Sequence, residues 1–243
     1  MTKRFATLLF ALSLVPVTAF AAGGGALQSS QTNLSDRASL QRGAGLFMSY
    51  CAGCHSLGFQ RYSRVAEDLD IDPALMEQHL VPASAKIGEN IVSAMSPADG
   101  ETWFGKAPPD LSVVARAKLG GADWTYTFLK SFYADESRPS GWNNTVLAGA
   151  SMPNVLWELQ GVQRPVYGEH SADVPERLEL VQPGAMSPAE FDRAVRDITA
   201  FLQYVGEPAA LKRYTIGLWV ILFLAVFTLL TWLLKQEYWR DVH

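Results

Sequence analysis

Cys51-Ala52-Gly53-Cys54-His55 sets two thiols three positions apart, with an imidazole directly after the second. Thiols at that spacing lie close enough to add across the two vinyl groups of one porphyrin, and the histidine is then carried beneath the metal. This is the attachment signature of a c-type haem, in which thioether bonds make the cofactor permanent and His55 supplies the proximal nitrogen. Other chemistries also use paired cysteines. A dithiol redox pair wants a βαβ context and a zinc site wants two more ligands close by; neither is visible. A disulfide is open to an exported chain, but the spacing points to haem. A single motif implies a single covalent haem c.

The occupant of the iron's sixth position separates an electron carrier from a catalyst. Candidates are Met48, Met76, Met95, Met152 and Met186, with His79, His170 and His243. Met48 stands three residues before Cys51 on the same approach and cannot reach the opposite face. His243 lies beyond a membrane-spanning stretch. Ser151-Met152-Pro153 stands out because it sits in a loop entered through Gly149, and the adjoining proline restricts the backbone that presents the thioether. On local pattern alone Met152 reads equally well as a core methionine, and both readings stay open.

The elements that position these groups follow from patterning. Residues 1–21 read as a signal peptide: Lys3 and Arg4, an apolar run from Phe5 to Val15, then Ala19-Phe20-Ala21 as a cleavage pattern. The mature chain is expected to begin near Ala22, with 22–35 a Gly-, Ser- and Gln-rich linker. Residues 36–208 form the haem domain, mainly α, and residues 212–236 a transmembrane anchor, with 237–243 a short cytoplasmic tail. Tyr214 to Leu234 carries no charge over 21 residues, about 31 Å of helix and so the thickness of a bilayer core. Basic residues flank both ends, so orientation rests on the signal, which leaves the haem domain in the periplasm of a bacterial inner membrane.

Within the haem domain, Asp36 to Tyr50 reads as a helix leading into Cys51. Helices are also expected at Asp110 to Ala117 and Asp123 to Tyr133, and loops with short helices from Tyr62 to Lys106. Gly161 to Gly184 reads as a long loop or a small hairpin. The best-signalled helix starts at Ser187-Pro188-Ala189-Glu190, a capping box with proline at the first helical position. Phe191, Ala194, Val195, Ile198, Leu202 and Val205 give it one apolar stripe, and Gly206 and Pro208 stop it. Apolar residues make up 49% of the chain, enough for one sizeable core. Removing the signal moves the formal charge from −4 to −6, which disfavours nucleic acid and suits a basic protein partner. Glu67, Asp68, Asp70 and Asp72 crowd four carboxylates into one stretch, read either as a solvated loop or as a docking patch.

With these residues in view, the chain resembles cytochrome c1, the haem subunit of the quinol–cytochrome c reductase (cytochrome bc1) complex, over roughly residues 35 to 240. Arg42-Gly43, Phe47 and the Cys51–His55 motif look like that family's first helix and haem site, with Gly43 and Phe47 where the C-terminal helix crosses. Pro108-Pro109-Asp110-Leu111-Ser112 is similar to its characteristic proximal loop. That likeness implies that the Pro109 region accepts a hydrogen bond from His55 and that Leu111 packs on the porphyrin. Ala150-Ser151-Met152-Pro153 matches the axial methionine segment, which makes Met152 the implied ligand. Asp197 to Pro208 followed at once by one span is the family's C-terminal pattern. Where many relatives have Arg-x-Arg after the proximal loop, this chain has Arg116-Ala117-Lys118, so the implied propionate partner is Lys118, a point charge rather than a fork, or Arg116. The chain also lacks the extra cysteines some relatives carry.

The resemblance implies a class I c-type cytochrome domain with long insertions and one C-terminal transmembrane helix. It implies an electron carrier that works within a quinol–cytochrome c oxidoreductase, in a dimeric membrane complex with cytochrome b and the Rieske iron–sulfur protein. Electrons would arrive from the Rieske protein and leave to a c-type cytochrome. Two alternatives share the haem motif: the anchored haem c subunit of a terminal oxidase, and a haem enzyme or ligand sensor in which the sixth position is labile.

Overall fold

The structure is a computed structural model that describes residues 27–168 and 175–241. The signal peptide, residues 22–26 of the linker, His170 and His243 lie outside the described residues.

Helix α1 (Arg37–Tyr50) begins at Asp36, whose carboxylate accepts the Ser39 N–H at 3.0 Å. Its buried residues Leu40, Gly43, Ala44 and Phe47 recur at three- and four-residue steps, so one stripe faces inward. Strand β1 (Leu57–Arg61) follows, then α2 (Tyr62–Leu69), α3 (Pro73–His79) and β2 (Asn90–Ile91). The two strands pair antiparallel with Leu57 opposite Ile91. Next come α4 (Pro97–Phe104), α5 (Val114–Ala117), α6 (Gly121–Lys130) and the hairpin β3 (Phe132–Ala134) and β4 (Trp142–Asn144). The chain ends with α7 (Trp157–Gln160), β5 (Gly161–Val166), β6 (Arg177–Pro183), α8 (Pro188–Gly206) and α9 (Ala210–Tyr238). The described fold is mainly helical, with three small two-stranded sheets.

The core is organised by α1 crossing α8. The capping box forms: Ser187 Oγ accepts the Glu190 N–H, and Glu190 Oε2 accepts the Ser187 N–H at 2.9 Å. Where the helices meet, a Cβ on Gly43 would stand 2.1 Å from the Asp197 carbonyl oxygen, so only glycine allows this approach. The Asp197 side chain reinforces the crossing. It accepts from Ser39 Oγ at 2.5 Å and from Arg42 Nε and Nη2 at 2.7 and 3.1 Å. Phe47 and Phe201 pack beside it with ring centroids 5.7 Å apart.

Several elements depart from expectation for local reasons. Asp110 to Ala117 is helical only from Val114, because the Asp110 carboxylate caps the Ser112 N–H and Leu111 N–H bonds to Ser56 O, holding the preceding segment in a turn. The helix expected to reach Tyr133 stops at Lys130. Ser131 Oγ takes the Thr127 carbonyl and Asn144 Nδ2 takes that of Phe128, and the chain then turns into β3. Gly161 to Gly184 forms the β5–β6 hairpin over its described residues. Three of the four acids have partners, while Glu67, Asp70 and Asp72 remain exposed. The Asp68 side chain is 4% exposed, ion-paired with Arg64 at 2.6 Å, and accepts from Tyr204 Oη at 2.9 Å. Asp70 pairs with Arg37 at 2.8 Å, and Asp72 caps α3.

Helix α9 has 29 residues and exposes its apolar side chains along its length, a helix long and apolar enough to cross a membrane. Its first turn stays attached to the domain: Leu211 packs on the core, and Glu207 accepts from both Arg213 and Arg116.

Candidate haem-binding site

The motif begins where α1 ends. Cys51 is the C-cap, its N–H bonded to Phe47 O at 2.8 Å, and the Cys54 and His55 N–H groups both return to Cys51 O at 3.0 and 2.8 Å. This tight turn brings both thiols and the imidazole onto one cavity of about 400 Å³. Ser93 pins the turn from outside: its Oγ donates to Gly53 O at 2.8 Å, and its N–H donates to Ser56 Oγ at 2.9 Å. Both thiols are free. Burial, with Cys54 close by, pushes the Cys51 thiol up to about 12, so it rests as a neutral thiol inside the pocket.

His55 is buried and lies 2.8 Å through Nδ1 from Pro109 O. A carbonyl can only accept, so Nδ1 carries the proton and Nε2 keeps its lone pair. Burial holds the imidazole below its ordinary range, against the opposing pull of the Pro109 carbonyl and Asp110. The ring is therefore neutral and oriented, the form in which imidazole binds a metal. Asp110 itself lies below the ordinary carboxylate range. Burial would raise it, but hydrogen bonds from Ser112 and Gly58 outweigh that.

Met152 lines the same cavity. Its loop is held by Arg138 Nη2 donating to Gly149 O at 3.0 Å and by Asn143 Oδ1 accepting the Gly149 N–H at 2.8 Å. Gly149 has φ +72°, a left-handed turn that glycine takes without strain. The other methionines stand elsewhere: Met76 is fully buried in the core, Met48 and Met186 pack against it, and Met95 lies by Gly100. His79 is exposed at the end of α3. Among the residues lining the cavity, His55 is the one imidazole and Met152 the one thioether.

Leu111, Val114, Trp124, Phe128, Ile198 and Leu202 supply apolar wall, and Lys106 and Lys118 supply positive charge. The Lys118 ammonium sits 4.6 Å over the Trp124 ring. Arg116 is not part of the lining; its guanidinium is drawn to Glu207 Oε2 at 3.1 Å, beside the end of α8. The cavity lies within the usual range for cofactor pockets, about 300–1,000 Å³. Two thiols, a neutral imidazole, a thioether, apolar walls and two cations suit a flat apolar ring with a metal centre and anionic edge groups. The residues present fit a haem.

Two positioning residues escaped the sequence reading. Ser93 gave no signal, because its partners, the Gly53 carbonyl and the Ser56 hydroxyl, lie about 40 residues away. Asp110 did give one, since an aspartate after proline in a turn commonly accepts a backbone N–H two residues on.

Comparison with known proteins agrees with this geometry. A profile of the cytochrome C1 family matches residues 28–242. The chain belongs to the cytochrome C1 family. It is similar to cytochrome c1 of Allochromatium vinosum, 48% identical over 237 residues and 96% of each chain. It is also similar to a protein of Nitrosomonas europaea named ammonia monooxygenase gamma subunit, 41% identical over 97% of each. A longer relative in Bradyrhizobium diazoefficiens is named cytochrome b/c1; the match is 25% identical and covers 86% of this chain and 34% of that one. As a family member this chain is a haem c electron-transfer subunit with one covalently bound haem, and α9 is compatible with the family's membrane anchor.

Proposed function

We propose that this chain relays single electrons from the Rieske iron–sulfur protein, through its haem c, to a c-type cytochrome acceptor. It does so within a quinol–cytochrome c reductase that also contains cytochrome b. The observation that carries the reading is the convergence of Cys51, Cys54, His55 and Met152 on one apolar cavity, with His55 neutral and aimed by Pro109. The cytochrome b/c1 name of one relative supports a setting beside cytochrome b.

In this reading Cys51 and Cys54 would hold the haem through thioethers, and His55 and Met152 would ligate its iron. When bound, the haem supplies a one-electron Fe(III)/Fe(II) couple, and methionine ligation raises its potential. The chain's own residues do the rest. The Pro109 carbonyl fixes the His55 tautomer, the apolar walls exclude water, Leu111 packs on the ring, and Lys118 pairs with anionic edge groups. Arg116 is withdrawn from that role by Glu207. With His55 and Met152 both ligating the iron, the site would leave no open position for an oxygen species, which favours a carrier over a haem enzyme or sensor. Residues 1–21 serve as the export signal, 36–208 as the periplasmic haem domain, and 212–236 as the anchor in a bacterial inner membrane.

The deciding experiment is purification in mild detergent with identification of every subunit, followed by reduction with a quinol. Cytochrome b and a Rieske protein should co-purify, and the haem should reduce through them. Co-purification with copper-containing oxidase subunits in their place would overturn the reading.

A further inference from the structure

Asp110 lies next to the proximal site without lining the cavity, and its carboxylate is used on both oxygens. Oδ2 accepts the Gly58 N–H at 2.7 Å and Oδ1 accepts the Ser112 N–H at 2.7 Å. Two further bonds run between the same segments: Leu111 N–H to Ser56 O at 2.9 Å and Phe59 N–H to Ser112 Oγ at 3.1 Å. The segment after His55 and the turn after Pro109 are thus laced together, with Asp110 supplying a two-pronged acceptor. Gly58 is shaped for it. A Cβ there would stand 2.9 Å from Asp110 Oδ2, closer than real Cβ atoms approach, while the Gly58 carbonyl is held by Asn90 Nδ2 at 2.8 Å.

We propose that Asp110 is a positioning residue for the proximal ligand: by clamping the Gly58 segment to the Pro109 turn it fixes the Pro109 carbonyl on His55 Nδ1 and so sets the haem's reduction potential. The inference rests on the haem reading given above. His55 and Pro109 belong to the two segments the clamp joins, three residues before Gly58 and one before Asp110. If the segments part, the 2.8 Å bond between them lengthens, because the Asp110 carboxylate supplies two of the four bonds that hold them. A firmly held Nδ1–H makes the imidazole a more basic ligand, which stabilises ferric iron. Loosening the clamp therefore raises the potential.

The test compares three variants of the haem-loaded full chain. Asp110→Asn removes the charge and one acceptor oxygen. Gly58→Ala keeps the charge but forces the carboxylate off its donor. Glu101→Gln removes an exposed carboxylate of α4 that takes no part in the clamp. At a fixed redox poise the oxidised-to-reduced ratio should fall about threefold to tenfold in Asp110→Asn and in Gly58→Ala alike, tenfold being about 59 mV for a one-electron couple. Glu101→Gln should stay at the native value. Exchange of the His55 Nδ1 proton with deuterated water, followed by nitrogen-edited NMR of the reduced protein, should accelerate at least tenfold in the same two variants. A native potential in Gly58→Ala would overturn the proposal, since Asp110 would then act through its charge alone; so would unaltered exchange in both. If Asp110→Asn does not load haem, Gly58→Ala carries the test by itself. Absence of covalent haem from the unaltered chain would sink the functional reading as well, whereas unmoved potentials in loaded protein sink only the clamp.

Discussion

Exchanging glycine for alanine at two places on α1, two residues apart, should move stability in opposite directions. At Gly43 the new methyl carbon would stand 2.1 Å from Asp197 O, 2.7 Å from its carbonyl carbon and 2.8 Å from Phe201 Cβ. Ordinary contact begins near 3.4 Å, so α1 and α8 must part by about an ångström. No rotamer change relieves this, because two of the three obstacles are backbone. Parting also stretches the bonds from Ser39 and Arg42 to Asp197. Overpacking costs about 1–3 kcal/mol, and a backbone clash belongs at the upper end of that range. Alanine's better helix propensity returns about 0.8–1.0 kcal/mol, which leaves a net loss of about 2 kcal/mol. At Gly45 nothing lies within 4 Å of the added methyl, so only the propensity gain remains. For a domain of this size about 1 kcal/mol moves Tm by about 2–4 °C. Thermal unfolding of the haem-loaded protein, followed by far-ultraviolet circular dichroism, should therefore show Gly43→Ala lower by about 4–8 °C and Gly45→Ala higher by about 2–4 °C. A Gly43→Ala protein as stable as the native one would show that the crossing tolerates a side chain and that the helix contact is not what holds Cys51 in place.

Met152→Leu should lower the haem potential and remove the sulfur–iron charge-transfer band of the oxidised protein, read by redox titration and absorption; an unchanged band would take Met152 off the iron. Asp68→Ala leaves the buried Tyr204 hydroxyl without its acceptor and should cost about 1–3 kcal/mol in denaturant unfolding, whereas Glu67→Ala should cost far less; equal effects would remove the structural role from Asp68. The Lys130–Asp192 contact, 2.6 Å long and joined by Tyr126, predicts a pH window. Asp192 titrates below the ordinary carboxylate range because its bonds to Lys130 and Tyr126 outweigh burial, so its contribution is present above about pH 3.9 and is lost as pH falls through the folded value. Lys130 lies above the ordinary range, its bonds to Asp192 and Tyr126 outweighing burial, so its share is full below about pH 10.4 and is lost on the alkaline side. Unfolding midpoints measured against pH should show Asp192→Asn weaker than native at neutral pH and converging with it in acid; a constant gap would refute the assignment.

The haem motif, the capped α8 and the apolar α9 were legible because each is a local pattern: fixed spacing, a capping box, an uninterrupted apolar run. Gly43 and Phe47 were legible only through family likeness, since nothing in α1 itself says which helix crosses it. What stayed hidden was set by distant partners. The helix after Asp123 was read three residues too long because Phe128 and Phe132 keep helical spacing and still touch, their centroids 5.0 Å apart, although the chain between them has left the helix. The four acids looked like one patch because proximity in sequence says nothing of Tyr204, whose hydroxyl reaches Asp68 from 136 residues away. Nothing local to Arg116 shows that its guanidinium is drawn to Glu207, 91 residues on.

That same Glu207 bears on how the domain meets α9. Three residues separate α8 from α9, and even fully extended they would reach only about 11 Å. They are not extended: Ala210 N–H bonds to Glu207 O at 3.0 Å and Leu211 N–H to Pro208 O at 3.3 Å, while one carboxylate grips an arginine on each side. The joint is a bracket rather than a leash. A domain on a long tether can swing away from its anchor helix; one bolted to its mast cannot.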